Sequence, residues 1–336
     1  MRFFWMAVGF SCAALASEFL LRALPVSTGF GSLPVNDANP VLRGTPHAEY
    51  TYSKNWNFRF ARSGTLNGDG YVGIWRQDYN GRNVILIGNS YVEAAAIDPR
   101  RNIASRLTQS AYGYQILALG MSGDTLADYL ARAHWAVPRY QPEALIVLLV
   151  EGDVCRAFMP HSGGYYLSIE RGRVQSHRED WAGLAGAKAW INHSRLFRYL
   201  WDNLNLPSTF RRATTQDGAS PRGGVCPEEP SQLDLASDYA LAELGEIFPQ
   251  SRVLLVIDAD RIGGSRERDV DRFGESAVKR GFAVLRLQNA FAQYQERTGL
   301  RLDLRPVDAH WNEAAHAVAA AAILPPLGQL LNASAH

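Results

Sequence analysis

Five short apolar runs, at 84–87, 115–119, 144–150, 252–257 and 283–287, set the tightest limit on what this chain can become. Apart from Gln115, Arg252 and Arg286 each is apolar rather than alternating, and helical patterns fall between the first pairs, at 103–109 and 126–137. A strand that is apolar on both faces needs a covering layer on each side, and helical crossovers supply those layers. The expected fold is therefore α/β: a three-layer α/β/α sandwich around a mainly parallel five-stranded sheet. At 47% hydrophobic and 20% charged residues, the 336-residue chain has the composition of a packed globular protein.

What surrounds this pattern divides the chain. Arg2 precedes an apolar run over 3–16, shorter than the roughly 20 residues a spanning helix needs and suited to the core of a signal peptide. Ala14-Leu15-Ala16 is an acceptable small-x-small cleavage site, yet "SEFLLRAL" continues the apolar character, as an uncleaved anchor would. Residues 1–24 are read as a signal peptide or membrane anchor rather than a cytosolic amphipathic helix. The rest of the chain is then exported, either periplasmic or anchored on the outer side of a membrane. Residues 25–80 read as an extension: a Pro-, Gly- and Asn-rich linker to Gly44, then "YTYSKNWNFRFARSG", whose aromatic and polar alternation suits an edge strand. The α/β domain occupies 81–332. An insertion at about 158–230 holds a hairpin-like "GGYYLSIERGRVQS" and a helical "WAGLAGAKAWINHSRLFRYLWDNL". Such an insertion forms either a lid or substrate wall, or an outer decoration.

Charge and cysteines narrow the partners. A net charge of +1 without a long basic run gives no electrostatic footprint for nucleic acid. Three cysteines without a CxxC exclude a zinc ribbon; Cys155 and Cys226 are compatible with one disulfide or with two buried thiols. His161, His177 and His193 in the insertion lack metal-ligand spacing. His134 falls in a core-packing helical pattern, and His316 reads as a packing or surface residue on the last helix.

Three segments carry chemistry. In "NVILIGNSYVE" a buried strand runs into Gly88-Asn89-Ser90 just before a helical segment, at the carboxyl edge where open α/β sheets bind ligands. In "ALGMSGDTLADYL" the second strand ends at Ser122-Gly123-Asp124, where Asp124 suits a helix N-cap and Gly123 allows close backbone approach. In "RPVDAHWNEAAHAVAAAAI" Asn312 is the expected N-cap of an alanine-rich helix ending before Pro325, so Asp308 and His310 precede a helix in extended chain. Residues two apart in extended backbone project to one side. A carboxylate beside an imidazole fixes its tautomer and supports its protonated form while the other nitrogen takes a proton from a serine.

In this order the three segments resemble the SGNH/GDSL hydrolase superfamily of esterases, lipases and carbohydrate O-acyltransferases, over roughly 83–324 apart from the insertion. The resemblance implies an SGNH or flavodoxin-like sheet, Ser90 as nucleophile, His310 as general base, Asp308 as its partner, and the N–H groups of Ser90 and Gly123 as oxyanion donors. It implies no metal or organic cofactor. Departures are visible: Asn89 replaces the usual aspartate of the first block, and Val307 stands where the last block commonly has its aspartate. The two-apart Asp-x-His form is similar to that of alginate-type O-acetyltransferases. The third block, usually Gly-x-Asn-Asp, reads Val150-Glu151-Gly152-Asp153, with Gly152 in the oxyanion asparagine's place. Loss of one such donor costs about 2.7–4 kcal/mol of transition-state stabilisation. Asn89 or an insertion residue is a candidate replacement, Asp153 lies close to the expected cleft, and Trp311 is placed to shield the base.

The function implied is an exported serine acyl hydrolase or O-acyltransferase acting on an ester, with O-acetyl groups of a cell-surface glycan as the natural substrate. Its partners are an O-acylated carbohydrate and, through an uncleaved N-terminus, a membrane. The alternative is a catalytically silent carbohydrate-binding or scaffold protein with the same fold. A dinucleotide-binding oxidoreductase needs a glycine-rich first turn, and "LIGNSYVEA" has a single glycine.

Overall fold

The computed structural model describes residues 1–75, 81–110, 113–183, 191, 193–206, 226–227, 229–259 and 267–332. Its centre is a parallel sheet of β3 (Arg82–Gly88), β4 (Tyr114–Gly120), β5 (Ala144–Val150), β8 (Val253–Asp258) and β9 (Ala283–Arg286), in the order β4-β3-β5-β8-β9. Counted along the sheet alone this is 2-1-3-4-5, the flavodoxin-like winding, whose ligand crevice opens where the strand order reverses, beside the first strand.

The side chains show why the sheet needs two helical layers. Ile85, Ile87, Leu145, Val147 and Leu149 point to one face with α4 (Leu126–Tyr140), α7 (Pro230–Ile247) and α8 (Glu267–Lys279). Their neighbours Val84, Leu86, Ile146 and Leu148 point to the other, with α3 (Ile103–Ser110), α9 (Gln288–Thr298) and α10 (Glu313–Asn332). The expected α/β/α sandwich is the observed one, with each strand within a residue or two of its apolar run.

Several local expectations are corrected. Thr125, not Asp124, caps α4, in a capping box closed by Asp128. Asp124 is buried and instead receives Arg132 Nε at 3.1 Å. The last helix passes through Pro325 and Pro326 to Asn332, because Ile323, Leu327 and Leu331 are buried on its inner face and packing outweighs the missing N–H groups. His134 is exposed and meets Glu243 at 3.2 Å rather than joining the core.

The extension is neither a free linker nor an edge of the main sheet. Its aromatic stretch folds back on itself, β1 (Glu49–Tyr52) pairing antiparallel with β2 (Arg62–Thr65) as a separate two-stranded sheet. Positive φ at Asn55 (68°) and Phe58 (55°) turns the intervening chain. Tyr50, Leu66 and Val72 form a small core with Ala95, which fixes this hairpin against the chain that follows β3.

In the insertion, β6 (Tyr165–Glu170) and β7 (Arg173–Arg178) make the expected hairpin, and buried Leu167 packs it on the α4 side of the sheet. Of the segment 181–204, residues 184–190 and 192 lie outside the described ones. Trp181 is bridged to Val35, while α6 (Arg195–Arg198) and a π turn at Tyr199–Asn203 are helical. A disulfide joins Cys155 to Cys226. At the N-terminus α1 (Arg2–Arg22) outlasts the apolar run and is long and apolar enough to cross a membrane, with Phe3, Trp5, Phe10 and Phe19 exposed. Its Glu18 accepts the backbone N–H groups of Arg195 and Leu196.

Candidate active site

The turn after β3 is built by glycine. Gly120 lies opposite Gly88 at the ends of β4 and β3, and a Cβ on Gly120 would stand 2.3 Å from the backbone nitrogen of Glu93. No other residue admits the short helix α2 (Ser90–Glu93) so close to the sheet edge. Asn89 caps α2 by accepting the N–H of Tyr91 at 3.1 Å, and Ser90 becomes its first residue.

From the other side, the loop before α10 is held by an Asp303–Trp311 bridge, by Leu304 N–H on the carbonyl of His310 (3.1 Å), and by Asn312, which caps α10 through the N–H groups of Ala314 and Ala315. Trp311 is buried and donates its Nε1–H to Asp258 at the end of β8 (2.8 Å), which pins the loop to the sheet. It lines the pocket and meets Tyr91 edge-on at 5.4 Å.

These two supports bring the predicted residues together across 220 positions of sequence. Ser90 Oγ lies 2.7 Å from His310 Nε2, and His310 Nδ1 lies 2.5 Å from Asp308 Oδ1, which also accepts the backbone N–H of His310. With Asp308 on Nδ1 the proton belongs there, leaving Nε2 to accept from Ser90. The other Asp308 oxygen accepts the hydroxyl of Tyr52, from the extension.

The accessory residues are placed differently from the expectation. Asn89 is buried, its oxygen engaged by Tyr91 and its Nδ2 donating to Asp153 at 3.1 Å, so it is not a spare oxyanion donor. Asp153, fully buried, also accepts from Tyr129 Oη (2.7 Å), Val150 N (2.9 Å) and Arg156 (2.6 Å). It steadies Asn89 rather than facing the pocket. Gly152 adopts φ 83° and turns its N–H toward buried Asp269 at 3.4 Å. Gly123, at φ 93°, is exposed on the turn after β4, with nothing within 4 Å of where a Cβ would sit. His161 pairs with Asp128 and His177 stacks on Tyr166, both on structural duty in the insertion. His316 is buried and accepts the N–H of Ile103. Among the described residues no cluster of metal-ligand type occurs.

Sequence reasoning missed Tyr52, Tyr91 and Glu93. The Tyr91 ring lies 5.1 Å from that of His310. Glu93 is buried in the pocket wall, where burial pushes its carboxyl up to about 7 even though Ser122 donates to it. Ser90, Tyr52, Glu93, Ser122 and His310 share a cavity of about 20 Å³, closed on one side by Ala94-Ala95-Ala96-Ile97. No described insertion residue lines it.

No protein-family profile and no curated protein matches the sequence. Among solved structures, the chain is similar to LAE5, an alpha/beta hydrolase enzyme from the metagenome of Lake Arreo, at 17% identity and TM-score 0.42, over 74% of this chain and 96% of that one. It is similar to a lipase/acylhydrolase from Enterococcus faecalis at 12% identity and TM-score 0.42, over 72% and 93%. A two-domain esterase active on acetylated mannans aligns at 12% identity and TM-score 0.42, over 75% of this chain and 50% of that one. At these scores the likenesses add nothing to the strand order, from which the fold class follows.

Proposed function

We propose that the protein is a serine acyl hydrolase or O-acyltransferase of the SGNH type, exported and held at a membrane by α1, that acts on O-acetyl groups of a glycan. The observation that carries this reading is the relay Ser90–His310–Asp308, with 2.7 and 2.5 Å contacts made by residues from opposite ends of the domain. His310 Nε2 takes the Ser90 proton as Oγ attacks the ester carbonyl, and Asp308 stabilises the imidazolium that forms. The backbone N–H groups of Ser90 and Gly123 receive the developing oxyanion. As the tetrahedral intermediate collapses, the C–O bond to the alcohol breaks and His310 returns the proton to the leaving oxygen. Water or a second hydroxyl, deprotonated by the same ring, then releases the acyl group from Ser90.

The cavity volume supports a short acyl group. About 20 Å³ of water-accessible space beside Ser90 admits a small group such as an acetyl methyl. The alternative, a silent carbohydrate-binding protein, draws support from Gly152, whose N–H faces Asp269 and leaves no side-chain donor at that edge. A fluorophosphonate probe separates the two. Labelling of the wild-type chain that disappears in Ser90→Ala is the expected result, whereas an unlabelled wild-type chain establishes the silent reading.

A further inference from the structure

The acid in the wall of the small cavity has no part in the steps above. Glu93 ends α2, is 4% exposed, and has its backbone nitrogen against Gly120 at the end of β4. Its carboxyl bridges from the helix that begins at Ser90 to Ser122, on the turn that carries Gly123. The cations that feel its charge are committed elsewhere: Arg132 of α4 is paired with Asp124, and His310 with Asp308. Tyr50 of β1 also feels that charge, and Tyr52 and His316 line the same cavity. A carboxyl buried without a cation of its own favours its neutral form, and burial accordingly pushes Glu93 up to about 7.

The two forms of Glu93 treat Ser122 differently. An ionised carboxylate only accepts hydrogen bonds, so it holds the Ser122 hydroxyl proton along with the Ser122 backbone N–H. A neutral carboxyl has an O–H to give. Donating it to Ser122 Oγ leaves the serine's own proton free to turn into the cavity shared with Ser90. The site has use for that proton, because Gly152 brings no side chain to the β5 edge and its N–H faces Asp269.

We propose that the Ser122 hydroxyl is a third oxyanion donor, and that Glu93 is the positioning residue that releases it when neutral and withholds it when ionised. The proposal rests on the acyl-transfer reading. As Ser90 Oγ bonds to the carbonyl carbon, the carbonyl electron pair moves onto oxygen, which accepts the Ser122 O–H beside the N–H groups of Ser90 and Gly123. When the C–O bond to the alcohol breaks, the carbonyl re-forms and the hydroxyl is released. Glu93 keeps its proton throughout; the proton that moves is the one carried by His310.

The test is the pH profile of kcat for nitrophenyl acetate hydrolysis by the full chain, comparing wild type with Glu93→Gln and Ser122→Ala. In wild type the rate is expected to rise as His310 frees its nitrogen, then to fall with a midpoint near the Glu93 value of about 7. A glutamine amide donates to Ser122 Oγ at every pH, so Glu93→Gln is expected to keep the wild-type maximum and lose the alkaline fall. Ser122→Ala is expected to lower kcat by on the order of 10²-fold at the maximum and to have no alkaline fall, as is the double variant. An alkaline fall that persists in Glu93→Gln, or wild-type kcat in Ser122→Ala, overturns the proposal. So does a melting temperature that shifts in Glu93→Gln while the pH profile stays put, since Glu93 then serves the fold alone. Fluorophosphonate labelling of wild type keeps the two levels apart: a labelled chain with any of those results loses the third donor alone, whereas a chain that neither labels nor hydrolyses loses the acyl-transfer reading with it.

Discussion

Two edges of the sheet crevice differ in the direction their polar groups face. At the β3 edge and the loop before α10, side chains converge outward on the cavity: Ser90, His310, Asp308 and Tyr52 form one relay. At the β5 edge they converge inward. Asp153 accepts from four partners beneath the surface, and the Gly152 N–H is engaged by Asp269. On the proposed function the first edge transfers a proton, while the second is a closed, rigid network. Buried Asn89 joins them, capping the helix that begins at Ser90 with its oxygen and reaching Asp153 with its nitrogen. The reactive turn thus stands on a polar network that does not itself touch the cavity.

Substitutions sharpen this contrast. The largest effect is expected at the β3 edge: Ser90→Ala lowers nitrophenyl acetate hydrolysis by about 10⁴-fold or more, with an unchanged melting temperature. Asp153→Ala is expected to do the reverse in kind, destabilising the fold by about 3–5 kcal/mol in urea titration because Arg156 and Asn89 lose a buried partner. A variant that kept full stability but lost activity would place Asp153 in the cavity and erase the distinction.

Glu93 supplies a pH signature. Its carboxyl titrates near 7 in the folded protein against an ordinary value of 4.5, burial being the main cause. Between those values the folded chain holds a proton that the unfolded chain has released, so this group's contribution to stability falls as pH rises from about 4.5 to 7. Glu93→Gln is expected to flatten that slope, leaving the variant more stable than wild type at pH 8 by on the order of 2 kcal/mol; parallel melting curves across pH would show that Glu93 is not the source. The smallest effect belongs to Tyr52→Phe, which removes the second hydrogen bond on Asp308. A loss of about tenfold in kcat/KM is expected, with little change in unfolding.

Much of this was legible in the residues. Strands apolar on both faces dictated the sandwich, and Ser90, Asp308 and His310 were found because each sits where a strand ends or a helix begins, which order along the chain reveals. What escaped depended on distance. Tyr52 meets Asp308 across 256 positions, and no local pattern in "EYTY" announces a partner there. The reading of Asp124 as a cap failed because Thr125 satisfies the same role and a buried arginine, eight residues on, competes for the carboxylate. Pro325 misled in the opposite way: local chemistry called for a stop, but buried leucines beyond it hold the helix together. Gly152 was recognised as a departure, yet the engagement of its N–H by Asp269 is a tertiary fact.

The Cys155–Cys226 bond has a mechanical consequence. It closes a covalent ring of chain, 71 positions around, that begins one turn after β5 and shuts just before α7. A protease that cuts once inside the ring leaves a single molecule until a reductant is added. Any opening of the insertion must likewise bend within the ring, because both of its roots are riveted to the same patch of the domain.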